Sequence, residues 1–295
     1  MATPQPGILA PVPPVARALG LRVAAGANPR DGLQRLGALA CDDSVVVGVG
    51  AGLAADLGRP LLGLEEIPAL VGPSSASSPS TPQALWLWLR GTDRGALVHQ
   101  QRALLATLGE AFVVDSVSEC FKHREGRDLS GYEDGTENPK GDAIASTALV
   151  ADRGAGVDGG SFVAVQRWQH DLPRFFGHDE RTRDDMIGRR VSDNAELPEA
   201  PPSAHVKRTA QETFSPVAFV WRRSMPWADP SGEGLLFIAF ASSLAPFTAQ
   251  LRRMVGLEDG VADALFRFTR PTSTSSFFCP PRRADGRLDL SAFGV

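Results

Sequence analysis

The chain has 295 residues, 43% of them hydrophobic, and a formal net charge of −4 with acids and bases interspersed. That size and apolar content suit one large domain or two moderate ones, and the charge pattern favours neither a nucleic-acid nor an anionic-membrane partner. Cys41, Cys120 and Cys279 form no Cys-x-x-Cys pair, which excludes a zinc ribbon or a dithiol motif and reads as buried thiols in a reducing compartment.

The Pro-rich start has no basic residue before Arg17 and no unbroken apolar stretch, so no secretory leader is expected. No segment approaches the ~20 apolar residues of a membrane helix. A soluble cytoplasmic protein is the expectation. "LRVAAG" (21–26) reads as a strand, and "PRDGLQRLGALA" (29–40) as a helix capped by Asn28. "SVVVGVG" (44–50) is a β-branched strand and "VGPSSASSPSTPQ" (71–83) a loop. "ALWLWLR" (84–90) is a strand, 93–111 an amphipathic helix, and "FVVDSVSECF" (112–121) a strand. The second half repeats the order. Strands are predicted at 160–168, 217–225, 234–241 and 274–280, and helices at 178–190 and 245–256.

The fold class that follows is α+β, a duplication of two ferredoxin-like βαββαβ units with antiparallel sheets. Residues 1–130 would form the N-terminal unit and 131–295 the C-terminal unit, linked through a loop at about 122–159. Helices on the outer sides would leave an inner face between the halves, a natural place for a large apolar ligand. "GAGLAA" (50–55) matches a loose dinucleotide fingerprint, but Gly58 and Pro60 cut short the helix that fingerprint requires. A tight strand-to-helix turn is the better reading.

"RDLSGYEDGTENPKGD" (127–142) cannot propagate a helix or central strand. Its Gly-x-x-Asp-Gly frame can orient Asp134, although from composition alone an Asp capping its own turn is the better reading. His205 follows Pro201 and Pro202 in a loop, where it is a structural residue or a metal ligand. In "FVWRRSMPW", alternation puts Arg222 on one face with Val220 and Ser224, opposite Trp221 and Arg223. One of the two Arg must therefore point inward, where a guanidinium needs an anionic partner or an anionic reaction to serve.

The ordered motifs "DLSGYEDGTENPKGD", "GSFVAVQRWQHDL", "MIGRR", "SAHVK", "WRRSMPW" and "FRFTRP" resemble those of dye-decolorizing peroxidases, and the compact length resembles the B-type bacterial group. The resemblance implies haem b bound between the sheet and helices of the C-terminal unit, with hydrogen peroxide and a small organic reductant such as a dye or phenol as substrates. It implies His205 as proximal iron ligand, Asp134 as distal acid, Arg222 as distal arginine and Arg189 as a haem-propionate partner. Ser224 stands where many relatives carry Asn. Asp263 is the candidate acid on the far side of His205, with Glu212 as alternative.

On that reading the carboxylate moves a proton between the peroxide oxygens on the way to a ferryl state. Arg222 stabilises the departing oxygen and dominates the rate. Tyr132, Trp168, Trp221 and Trp227 are candidates to relay electrons from bulky substrates at the surface. A homo-oligomer is expected, since such sheets often pair, and the tail "RADGRLDLSAFGV" gives no support for entry into an encapsulin shell. Two rival readings are a haem-handling protein with incidental peroxidase activity and a haem-free ferredoxin-like module.

Overall fold

The computed structural model describes residues 2–295. In chain order the strands are β1 (Val15–Val23), β2 (Val45–Gly50), β3 (Leu70–Val71), β4 (Ser77–Ser78), β5 (Leu85–Gly91), β6 (Phe112–Phe121), β7 (Ser161–His170), β8 (Trp221–Arg222), β9 (Met225–Asp229), β10 (Gly232–Ala241) and β11 (Thr269–Cys279). The helices are α1 (Pro6–Leu9), α2 (Pro29–Gly37), α3 (Ala51–Asp56), α4 (Arg94–Leu108), α5 (Ala143–Ala148), α6 (Leu172–Phe176), α7 (Glu180–Ile187), α8 (His205–Arg208) and α9 (Ala245–Met254). Caps fix the starts of several. Asn28 accepts from the Arg30 amide at 3.0 Å, Asp93 from Ala96 at 2.7 Å and Asp179 from Thr182 at 2.8 Å, each satisfying a free first-turn donor.

The first half pairs its strands in the order β2-β5-β1-β6, and the second in the order β11-β7-β10-β9. Each is the ferredoxin-like order, with the first and third strands central. The two sheets then join: β11 pairs with β2 through Phe277–Gly50 and Phe278–Val49, and β6 meets β9 through Cys120–Trp227. With β7 also paired to β10, the antiparallel ladder closes on itself as a barrel.

That closure overturns one expectation. The face between the halves is mostly filled by Trp86, Trp88, Phe240, Phe277 and Trp227 among smaller apolar neighbours, leaving only a polar-rimmed pocket beside Gln83, Ser116 and Arg167. Trp86 stacks on Trp88 at 6.1 Å and on Phe277 at 5.9 Å. Aromatics of this size supply most of the burial in such a core. The helices cover the outer faces. In the first half, leucines of β1 and β5 pack on Leu33 and Leu36 of α2 and Leu97, Leu104 and Leu108 of α4. In the second half, Phe247 and Leu251 of α9 pack on Phe237 and Ala164, covering one end of the sheet. The space left beside α9 becomes the cavity described below.

Two strand predictions shift. The first strand begins at Val15, directly after the Pro run, rather than at residue 21. The 217–225 strand is absent over Val217–Val220, because the backbone there is bonded elsewhere. Ala218 donates to the Gln211 carbonyl at 2.9 Å, its own carbonyl accepts from Gln250, and the Val220 amide donates to the Gln211 side chain at 2.9 Å. Pairing with β10 runs instead through β8 and β9 in one register, broken at Arg223–Ser224. The dinucleotide-like "GAGLAA" is the strand-to-helix turn, with a helix of only six residues. A Cβ on Gly50 would lie 2.0 Å from the Gln83 carbonyl oxygen, so Gly50 serves close strand packing.

Candidate active site

His205 opens α8 after a tight turn in which the Ala204 amide donates to the Pro201 carbonyl at 2.8 Å. Its Nδ1 lies 2.8 Å from Asp263 Oδ2. Asp263 is itself immobilised. Its other oxygen accepts from the Leu265 amide at 2.8 Å, its amide donates to the Met254 carbonyl at 2.8 Å, and its side chain is wholly buried. A buried carboxylate at that position holds the proton on Nδ1 and leaves Nε2 as the lone-pair nitrogen. Nε2 of His205 has no hydrogen-bond partner among the described residues. Glu212, the alternative partner, is exposed in a short turn and makes no bond to His205.

The loop singled out in the sequence folds as a small hairpin. Asp128 donates its amide to the Tyr132 carbonyl at 2.8 Å, Gly131 closes the turn onto Asp128 at 2.9 Å, and Asp134 donates to Gly126 at 3.2 Å. Gly131 and Gly135 have φ of 94° and 80°, in the left-handed region where a side chain is strained. The hairpin is fastened to Arg222 by Asn138. Its Oδ1 accepts from the Arg222 amide at 2.9 Å and its Nδ2 donates to the Arg222 carbonyl at 3.1 Å, as a neighbouring strand would. One residue thus sets the spacing between the Asp134 loop and Arg222.

Asp134, Arg222 and His205 line one cavity with an empty volume of about 860 Å³. It lies between the outer face of the C-terminal sheet, through Trp168, Leu235 and Phe237, and the apolar sides of Ile187, Leu251 and Met254. The Arg222 guanidinium forms no ion pair among the described residues, and its buried Nε has no partner. A desolvated donor without an acceptor is costly unless something in the cavity supplies one.

Ser224 does not line this cavity. It lines an adjoining one that shares Asp134 and Arg222, and its buried Oγ is likewise unpartnered. Arg189 stands with His205 and Arg222 around a third opening. It is held by Glu137 at 2.5 Å, Glu196 at 3.4 Å and the Asn194 carbonyl at 2.9 Å.

A second histidine lines the main cavity. His170 has both ring nitrogens engaged, Nδ1 with Thr269 Oγ1 at 2.6 Å and Nε2 with Asp128 Oδ1 at 3.0 Å. It therefore has no free nitrogen for a metal, and the pair instead ties the hairpin to β7 and β11. Burial alone would raise the Asp128 carboxyl, but His170 and the Ser130 bonds outweigh it and hold the group below the usual carboxylate range. His170, Asp128 and Asn138 all escaped the sequence reading. Each acts through a partner 42 or 84 residues away, which no local pattern displays.

Residues 125–284 match the model of the C-terminal part of Dyp-type peroxidases. The chain belongs to that family. A dye-decolorizing peroxidase of Mycobacterium tuberculosis is 28% identical over 94% of this chain and 88% of its own length. One from Mycolicibacterium paratuberculosis is also 28% identical, and the match spans 59% of that protein. Among solved structures, a dye-decolorizing protein from V. cholerae is 30% identical with a TM-score of 0.83, covering 93% of this chain and 96% of that one. A variant of Rhodococcus jostii DypB, solved in complex with heme, is 26% identical with a TM-score of 0.86, covering 96% of this chain and 98% of that one. The α+β architecture of paired ferredoxin-like sheets is thus the Dyp-type fold.

The Dyp-type cavity in this chain fits a haem group on its own chemistry. It offers apolar walls for a flat macrocycle, one imidazole nitrogen free for the metal, and an unsatisfied guanidinium donor. None of the three cysteines lines it. Arg189 is already paired with Glu137 and Glu196, which are 62% and 47% exposed, and Glu196 also accepts from Lys207 at 3.2 Å.

Proposed function

We propose that this Dyp-type peroxidase binds haem b on His205 and reduces hydrogen peroxide to water with two electrons from small organic reductants such as dyes and phenols. The observation that carries the proposal is the pairing of an Asp263-anchored imidazole with an unpartnered Arg222 and a loop-held Asp134 around one apolar cavity. Haem supplies, when bound, the redox-active iron to which peroxide adds. The cavity lining offers no cysteine for a thioether link, which supports a non-covalent b-type group. The likeness to DypB over nearly the whole chain supports the B-type group.

The chain's own residues then divide the work. Asp263 keeps the proton on Nδ1 and makes Nε2 a stronger donor to the metal. The Asp134 carboxylate would accept a proton from hydrogen peroxide and hand it to the oxygen that leaves as water. Arg222 stays protonated and stabilises the negative charge that gathers on the separating oxygens, in a site where few waters compete. Arg189, beside His205 and Arg222, would be the residue to pair with a haem carboxylate, in exchange for its present glutamate partners.

Electrons from reductants too large for the cavity pass through an aromatic side chain. Trp168 and Tyr132 line the cavity, whereas Trp221 and Trp227 are buried in the barrel core; none of the four is the surface group the sequence suggested. Ser224 takes part through water in the adjoining cavity. The protein works in the cytoplasm as a homo-oligomer; among the described residues no helix is long and apolar enough to cross a membrane.

Mixing the haem-loaded protein with one equivalent of peroxide, and then with a dye, tests the reading. Peroxide consumption within milliseconds and stoichiometric dye oxidation are expected. Slow consumption with release of iron from the haem would favour the haem-handling alternative instead.

A further inference from the structure

A second cavity, of about 1040 Å³ of empty volume, adjoins the first and shares with it only Asp128, Asp134, Arg222 and Leu235. It opens at the break between β8 and β9, where only the Arg223 amide still bonds to β10, at the Ile238 carbonyl. Three consecutive residues there each carry a buried polar atom without a partner: Arg222 Nε, Arg223 Nε and Ser224 Oγ. All three can donate.

Arg223 is the unusual one. Its guanidinium stacks on the Trp221 ring at 3.6 Å and gives one hydrogen bond, 3.2 Å to the Leu9 carbonyl. No carboxylate pairs with it among the described residues. The charge of Arg90 also acts on it. Arg90 donates to the Asp43 and Pro11 carbonyls at 2.6 and 2.5 Å, with the Asp43 charge acting on it as well. Burial, with the Arg90 charge added, lowers Arg223 to about 10. A buried guanidinium with no carboxylate partner is unfavourable.

The carboxylates on the cavity wall do not cancel this charge. Asp128 is taken by His170 and Ser130, Glu125 is exposed, and Asp134 belongs to the peroxide site. Lys122, His123 and Arg127 add basic groups to the wall, and Leu9, Val12, Ile144 and Pro226 form an apolar stretch of it.

We propose that this cavity binds an aromatic carboxylate, its carboxylate on Arg223 and Ser224 and its ring against the apolar wall, and that phenolic acids of this kind are reductants of the enzyme. A guanidinium fork with an adjacent hydroxyl matches the two oxygens of a carboxylate. The site itself is independent of the proposed function; its role as a reductant site rests on that reading. One peroxide takes two electrons and two protons from two phenolic acid molecules, giving two waters and two phenoxyl radicals, so the reaction balances without a further reagent.

Calorimetric titration of the haem-loaded protein with benzoate, which cannot be oxidised under these conditions, tests the site, with neutral benzamide as control. Benzoate should bind about tenfold more tightly than benzamide, with the haem absorption band unmoved. Arg223→Gln should weaken benzoate about tenfold, and Val12→Trp, which fills the cavity and leaves Arg223 in place, should abolish binding. Should Arg223→Gln not fold, Val12→Trp decides alone. Equal benzoate affinity in every folded variant overturns the site, as does binding that shifts the haem band, because the carboxylate then sits on the metal. Steady-state turnover tests the role. With para-hydroxybenzoate as reductant, Arg223→Gln should raise KM about tenfold, and with phenol it should leave KM unchanged. Parallel changes for both would overturn the reductant assignment while leaving benzoate binding to report on the site.

Discussion

Arg222 is held at its backbone and free at its tip, and that combination sets the expectations at the residue scale. Asn138 grips its amide and carbonyl while its Nε lies unpartnered in the cavity. Arg222→Ala should slow peroxide consumption, followed by stopped-flow absorbance, by about 10²–10³-fold, the usual loss for a buried donor to developing negative charge. Asp134→Asn should cost a smaller factor, because the adjoining cavity beside Ser224 admits water that can relay the proton. The reverse order would assign the rate to the carboxylate.

Asn138→Ala should leave haem affinity unchanged, slow the same reaction and cost about 1–2 kcal/mol of stability, since two backbone groups of Arg222 lose their partner. Asp128 gives a pH signature. Its folded carboxyl titrates below the ordinary value of about 3.9, so the unfolded chain binds the proton first as pH falls. Stability therefore rises with pH through the window below about pH 4, and Asp128→Asn should flatten that acid limb in denaturant titrations. His205, Asp134, Arg222 and Asp263 were legible in short motifs. Asn138, Asp128 and His170 were not, because their meaning is a long-range hydrogen bond.

At the scale of elements, α7 and α8 meet where Gly188 ends α7 with φ of 92°. A Cβ there would lie 2.3 Å from Val206 Cγ2 and 3.2 Å from Ala204 Cβ, on either side of His205. Gly188→Ala should cost about 1–3 kcal/mol and weaken haem binding by displacing α8. Absorbance titration beside a melting curve separates the two effects. The element order was readable from hydrophobic period and caps, and Asn28, Asp93 and Asp179 begin helices as such residues should. The misplaced strand at 217–225 has a tertiary cause: Gln211 and Gln250 capture its backbone. Alternation still put Arg222 and Trp221 on opposite faces, and the structure has Arg222 at the outer cavity and Trp221 in the barrel core.

The whole molecule is a closed ladder, and this was the least legible feature. Each half shows its own pattern, but closure depends on the Phe277–Gly50 and Cys120–Trp227 pairings across halves. The inner face read as a ligand site is a core in which Trp86 bridges the two units through Phe277 and Phe240. Trp86→Ala should cost about 3–5 kcal/mol and lower the melting temperature by roughly 10 °C, with haem binding retained, because the cavity proposed for haem lies on the other face. The proposed division at residues 130 and 131 falls inside the hairpin closed by Asp128 and Tyr132, so a cut there would release Asp134 from its support.

The proposed function depends on His205 alone supplying the metal bond. Haem titration of folded His205→Ala and His170→Gln, read by the Soret band and by the spin state of the bound iron, tests that dependence head-on. His205→Ala should lose the histidine-ligated spectrum and most of its affinity, while His170→Gln should keep both. A His205→Ala protein that binds haem with an unchanged spectrum would refute the assignment.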